Sequence, residues 1–158
     1  MRVLAIDPGY DRVGVAVLEL LETETVHYST CIETNRAHSL PDRLHVIGQK
    51  VEEIILEQQP DTFAIEKLYF NKNIKTAIAV AEARGMLLYI AQKAGCRVFE
   101  FGPQEIKVAT TGHGGSSKTD VQIMITRLVK NVPTAALDDE FDAIAIGVTC
   151  LAHYGRTS

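Results

Sequence analysis

The chain has 158 residues, of which 46% are hydrophobic and 23% charged; that bounds it to one domain, expected over residues 1–158, with enough apolar mass for a core. No apolar run approaches the roughly 18 residues of a membrane span, and the amino terminus lacks the basic and then apolar pattern of a signal peptide, so a cytoplasmic location away from membranes is expected. The net charge of −4 argues against a polyanion partner only until its distribution is read: residues 1–66 hold five basic and twelve acidic residues, 67–130 ten and four, and 131–158 one and four, so the middle of the chain is basic enough to serve nucleic acid.

In chain order, residues 2–7 and 12–20 read as two strands joined by the Asp7-Pro8-Gly9 turn, a hairpin. Residues 25–33, rich in Thr, Val, Tyr and Ile, read as a third strand. Leu44, Ile47, Val51, Ile54 and Ile55 keep helical spacing in the next segment, and Pro60 lies just past its end. Residues 61–66 form a short buried strand that ends on a carboxylate, as the first one does. A loop, LYFNKN, leads to a long Ala-rich helix over 74–95, with Gly95 as its C-cap. Residues 96–101 are a fifth strand. A short helix from Pro103 is followed by a Gly-Ser loop, then a helix over 121–130 and a last helix over 137–155. Strands first, then strands alternating with helices, predict an α/β fold with a five-stranded mixed sheet flanked by helices. Cys31, Cys96 and Cys150 are far apart and form no CxxC; they read as reduced, buried small apolar residues.

The carboxylates carry the chemistry. Asp7 ends strand one and Glu66 ends strand four. Asp139 and Asp142 are three residues apart at the start of an apolar helix and share a face. Asp138 is four residues from Asp142, and spacing alone admits it too. If strands one and four are parallel neighbours, Asp7 and Glu66 stand side by side at one sheet edge, and a helix laid across that edge adds the other two. Four such groups repel each other unless cations neutralise them. Hard oxygen donors select Mg²⁺ or Mn²⁺, and the set suits two ions about 3.5–4 Å apart.

Lys107 in the short helix and Lys118 at the end of the Gly-Ser loop would flank a phosphate brought to those acids. Gly112, Gly114 and Gly115 would let the backbone approach it. TGHGGSSKT fails the P-loop pattern because Ser117 stands where Gly is required, and it follows a helix instead of a buried strand. The helix over 74–95 is apolar on most of its circumference, through Ala77, Ile78, Ala79, Val80, Ala81, Ala83, Leu87 and Ile90. One side can pack on the sheet and the rest can be core or a dimer seam.

Five blocks together resemble the RuvC family of bacterial Holliday-junction resolvases: IDPG at 6–9, AIEKLYFNKN at 64–73, ARG at 83–85, PQEIKVATTGHGGSSK at 103–118 and DEFDAIAIG at 139–147. The resemblance implies an RNase H-like fold and a Mg²⁺-dependent crossover junction endodeoxyribonuclease acting in recombination and repair. It implies a homodimer making paired nicks in four-way junction DNA, with 3′-hydroxyl and 5′-phosphate products, two Mg²⁺ per subunit replaceable by Mn²⁺, and RuvA and RuvB as partners. Carried over residue by residue, the catalytic and metal-ligating acids are Asp7, Glu66, Asp139 and Asp142, the D-x-x-D spacing selecting Asp139 over Asp138. Lys107 and Lys118 are the lysines near the site. Tyr69, with Phe70 beside it, takes the place of an aromatic that stacks on bases at the crossover, and Lys72 in the same loop joins the DNA contacts. Rival readings are an actin-like or sugar-kinase ATPase, for which the chain is too short, a non-cleaving junction scaffold, and a different nuclease of the same fold.

Overall fold

Side-chain alternation along the first strand sets the layout. β1 (Arg2–Asp7) is apolar on both faces: Val3 and Ala5 point to one side of the sheet, Leu4 and Ile6 to the other, all fully buried. Asp7 continues the Val3–Ala5 side, because successive residues of a strand face opposite ways. The computed structural model describes residues 1–68 and 74–155; Tyr69, Phe70 and Lys72 lie outside the described residues.

β2 (Arg12–Leu20) pairs antiparallel with β1, closing the expected hairpin with Asp7 opposite Gly14. β3 (Glu24–Glu33) pairs antiparallel with β2, with a register irregularity at Val17–Leu18. α1 (Leu40–Gln58) starts at Ser39, whose hydroxyl accepts from the Asp42 amide, and stops at Gln59 in the left-handed region just before Pro60. β4 (Thr62–Glu66) then pairs parallel with β1, and β5 (Arg97–Phe101) parallel with β4, giving the order β3-β2-β1-β4-β5. The mixed five-stranded sheet is the one expected.

Two helical layers cover the sheet. α1 and α2 (Ile74–Lys93) pack Ile47, Val51, Leu87 and Ile90 against Leu4, Ile6, Phe63 and Ile65. On the opposite face, α3 (Pro103–Thr111), α4 (Lys118–Leu128) and α5 (Asp138–Tyr154) bring Ile106, Ile125 and Ile144 onto Val3, Ala5 and Ala64. α2 ends as anticipated: Gly95 has φ +78, its amide bonds Gln92 O, and the Cys96 amide bonds Ala91 O, a Schellman closure.

The boundaries differ most from the sequence expectation at α4. α4 begins at Lys118, not at 121, and it ends at Leu128. The Ser117 hydroxyl accepts from the Asp120 amide at 3.1 Å, and the Asp120 carboxylate accepts from the Ser117 amide at 2.9 Å. This reciprocal cap lies within SSKTD, where the glycines and serines read as loop. Val129 and Lys130 leave the helix, and Lys130 pairs its backbone with Glu24 and Val26 at the sheet edge. Among the described residues no helix is long and apolar enough to cross a membrane.

α5 lies hard against β2, and Gly14 permits it. A Cβ built there falls 1.8 Å from the Asp139 carbonyl oxygen, a backbone atom that can retreat only if the helix does. Gly14→Ala should therefore lower stability by about 2–3 kcal/mol, at the upper end of overpacking costs, and displace the first turn of α5. Urea denaturation would measure the first effect, and activity per folded molecule the second.

Candidate active site

The register that builds the sheet brings two acids together. Ile6 pairs with Ile65 across the parallel β1–β4 ladder, so the next residues, Asp7 and Glu66, end adjacent strands at the same edge. Both belong to the side covered by α5, since Ala5 and Ala64 pack there. Glu66 is held further from the other side: Arg84 Nε on α2 donates to its carbonyl oxygen at 3.0 Å, and the same guanidinium pairs with Glu100. The Ala83-Arg84-Gly85 block thus has a structural role in seating Glu66.

The first turn of α5 supplies the rest. Asp139 and Asp142 lie on the face toward the strand ends, their side chains 25% and 35% exposed, while Asp138 is 72% exposed. Asp7 experiences the charges of Asp142, Glu66 and Asp139. Asp138 instead takes a hydrogen bond from Gln122 on α4 at 3.1 Å. Of the two acids that spacing left open, Asp139 is the less exposed and acts on Asp7, while Asp138 lies at the outer rim, 3.8 Å from Lys118 Nζ.

Between these two acids the buried Glu140 turns inward. One carboxylate oxygen accepts from Ser29 Oγ on β3 at 2.7 Å, and the other from the Leu137 amide at 3.2 Å. It pins the turn that carries Asp139 and Asp142. The sequence reading missed this contact because Ser29 is 111 residues away; an acid three residues into the helix was the available signal.

Both expected lysines reach the site. Lys118 Nζ lies 2.7 Å from Asp142 Oδ2 and 3.8 Å from Asp138 Oδ2. Lys107 and Lys118 line a cleft of about 200 Å³ together with Glu66, Asp142, Ile106 and Val121. The His113 ring folds back on its own loop, with Nδ1 accepting from the Gly115 amide at 3.1 Å, which leaves it no place in the acid cluster. Two neighbours were not anticipated. Arg12 Nε is 3.2 Å from Asp139 Oδ2. Cys31, expected as a buried apolar filler like Cys96 and Cys150, is only half-buried, and its thiol lies 3.9 Å from the same oxygen.

The electrostatics follow from packing like charges in a half-dry place. Burial pushes the Asp7 carboxyl up, and Asp142, Glu66 and Asp139 push it further, to about 7. Glu66 is raised by burial and by Asp142. Asp142 is raised by burial, against the pull of Lys118. Lys118 is itself raised: burial opposes its charge, but the hydrogen bond and charge of Asp142 prevail. Among the described residues no three His, Cys, Asp or Glu side chains stand in an arrangement that holds an ion; Asp142 is paired with Lys118 and Asp139 with Arg12. The donor set nonetheless fits a hard divalent cation, being carboxylate oxygen throughout, and a cation would relieve the repulsion that raises Asp7.

A mixed sheet of this order, with α5 across β1 and β2 and acids at the ends of β1 and β4, is an RNase H-like architecture. Residues 3–150 match the family model for crossover junction endodeoxyribonuclease RuvC. Crossover junction endodeoxyribonuclease RuvC of Finegoldia magna is 40% identical over 150 residues, 94% of this chain and 91% of that protein. Its counterpart in Petrotoga mobilis is 40% identical over 99% of this chain and 96% of its own length. The solved structure of Thermus thermophilus RuvC superposes with a TM-score of 0.88 at 28% identity, covering 99% of this chain and 96% of that one. T. thermophilus RuvC in complex with Holliday junction substrate gives 0.89 at 26% identity, over 97% and 94%. The yeast mitochondrial Holliday junction resolvase Ydc2, 14% identical with a TM-score of 0.70, shares the fold. The chain belongs to the RuvC family of crossover junction endodeoxyribonucleases, which are nuclease hydrolases.

The raised Asp7 has a measurable thermodynamic consequence. Its folded pKa of about 7 lies above the ordinary 3.8, so between those values the folded chain holds a proton that the unfolded chain has released. Stability therefore falls as pH rises through that window. Asp7→Asn removes the penalty. In EDTA the variant should melt higher than the parent at pH 8, by an amount equivalent to about 2–4 kcal/mol, and the gap should close toward pH 4. Melting curves across that range check the sign.

Proposed function

We propose that this chain resolves four-way DNA junctions with Asp7, Glu66, Asp139 and Asp142 as its metal-holding catalytic acids and two Mg²⁺ ions, replaceable by Mn²⁺, as cofactors. The observation that carries this reading is the convergence of those four carboxylates, from β1, β4 and α5, on one edge beside Lys107 and Lys118. The bound ions would supply a nucleophilic water and a sink for charge on the phosphate. The protein's own groups do the rest. Lys107 draws the backbone phosphate into the cleft beside Glu66 and Asp142. Lys118 neutralises Asp142 until substrate arrives, and then offers its ammonium to the phosphate. The cleft walls Ile106 and Val121 limit water around the reacting group and strengthen each of these interactions. The attacking oxygen bonds to phosphorus as the bond to the 3′ oxygen breaks, leaving a 3′-hydroxyl and a 5′-phosphate.

The 158 residues act as one nuclease domain in a homodimer whose two subunits nick a junction symmetrically, with RuvA and RuvB as partners. The long α2 helix supports the dimer reading, since Ile78 and Tyr89 on it are 54% and 68% exposed. Tyr69 and Phe70 stack on bases opened at the crossover and Lys72 contacts a nearby phosphate. That assignment rests on the resemblance of their sequence block, since all three lie outside the described residues.

The decisive assay incubates a synthetic four-way junction and a matched linear duplex with the chain, with and without Mg²⁺. Junction-selective, Mg²⁺-dependent paired nicking is expected. Asp7→Asn and Asp139→Asn should abolish cutting while sparing junction binding, and Asp138→Asn should cut within a few-fold of the parent. Full cutting by Asp7→Asn would sink the acid assignment. Binding in Ca²⁺ should weaken steeply with salt, because each neutralised phosphate releases counterions, and Lys107→Ala should make that slope shallower. A slope unchanged by Lys107→Ala would remove this lysine from the DNA interface.

A further inference from the structure

The two cations that hold the α5 acids differ in origin. Lys118 opens α4 and lines the cleft. Arg12 opens β2 on the other side of α5, at the register position facing Glu33 on β3. Its Nε lies 3.2 Å from Asp139 Oδ2 and 3.5 Å from Glu33 Oε1. The guanidinium thus has two carboxylates within reach, one in the acid cluster and one outside it. Arg12 is 43% exposed and Glu33 64%, so no packing fixes the choice between them. A guanidinium on Asp139 Oδ2 covers lone pairs that an ion would use, and it repels a divalent cation brought alongside.

We propose that Arg12 is the resident counter-ion of Asp139, that it competes with the divalent cation for this carboxylate, and that it transfers to Glu33 when the cation binds. The inference rests on the reading that the four acids hold metal. Its chemistry is an exchange of one cation for another, with Glu33 as the alternate seat. Because Glu33 is the cross-strand neighbour, the transfer needs side-chain rotation alone. The arrangement keeps Asp139 neutralised before metal arrives, and it sets metal affinity lower than the four acids alone would give. A ligand shifts such a two-position equilibrium only through its different affinities for the two arrangements, and here the difference is whether Asp139 is free.

The test is calorimetric titration of the full chain with Mn²⁺ in about 0.1 M salt, without DNA, so that nothing depends on turnover. Arg12→Gln should bind Mn²⁺ about three- to fivefold more tightly, the range expected for releasing a partly exposed ion pair. Arg12→Lys, which keeps a cation on the site, should stay near the parent. Lys130→Gln makes the same charge change at the far end of the sheet and should move affinity by less than about 1.5-fold, since it lies beyond effective range in that salt. Glu33→Gln should weaken binding about twofold in the parent and have no effect in the Arg12→Gln background, because the seat matters only while Arg12 is present. Affinity in Arg12→Gln equal to or weaker than the parent's, or a Glu33→Gln effect that survives in that background, overturns the inference. Failure of the underlying reading is distinct: Asp139→Asn would then bind Mn²⁺ as tightly as the parent.

Discussion

Four carboxylates brought to one sheet edge repel one another, and much of the surrounding structure serves to hold them there. Asp7 is pushed up to about 7 by burial first and by the three neighbouring acids next. A flexible scaffold would relax by moving the acids apart. Here Asp7 and Glu66 are fixed by a parallel ladder whose residues are buried on both faces. Asp139 and Asp142 are fixed by a helix seated on β2 where Gly14 carries no side chain. Glu140 adds a hydrogen-bonded anchor to β3.

The two faces of the sheet divide the work. The α1 and α2 face is a plain apolar layer, yet it acts on the site indirectly. Arg43 on α1 is buried, donates to Thr34 Oγ1 and Tyr10 O, pairs with Asp11 and lies over the Tyr10 ring. It thereby clamps the turn that follows Asp7. Arg84 on α2 reaches through to the Glu66 carbonyl. Each strand-borne acid thus has an arginine from the far layer steadying the backbone beside it. The α3, α4 and α5 face presents the acids, the lysines and the cleft. Burying an arginine is costly unless every donor finds an acceptor, and both of these find backbone carbonyls, which places the backbone as firmly as the side chain.

Much of this was legible in the sequence. The five strands, the hairpin, the strand ends at Asp7 and Glu66 and the helix carrying Asp139 and Asp142 follow from periodicity and from carboxylates interrupting apolar runs; the parallel pairing that sets Asp7 beside Glu66 was only a condition there, and the β1–β4 ladder supplies it. The start of α4 was missed because SSKTD carries residues that favour loops and caps alike, and only the reciprocal Ser117–Asp120 bonds decide between them. The choice of Asp139 over Asp138 was open on spacing, since both fall on the first turn; the helix rotation fixed by the apolar residues after it settles which one faces inward. Arg12, Cys31, Ser29 and Arg43 were invisible as site neighbours. Their roles depend on the β2–β3 register and on contacts across tens of residues, which no local pattern encodes.

Net charge was the poorest guide. The chain is negative overall, but the acids of α1 lie on the face away from the cleft, where Glu52 pairs with Lys93 and Glu53 with Lys50. Several lysines and arginines of the basic middle stretch are likewise spent: Lys67 on Glu105, Arg84 on Glu100 and Arg97 on Asp61. Lys107 has no ion pair among the described residues and stands in the cleft itself, so a phosphate there meets an unspent cation. Lys118 and Arg12 are engaged with Asp142 and Asp139. A polyanion approaching this edge therefore meets carboxylates and cations interleaved, with Lys107 among the cations lining the cleft. At screening lengths of about 8–10 Å, that local balance outweighs the charge of the whole chain.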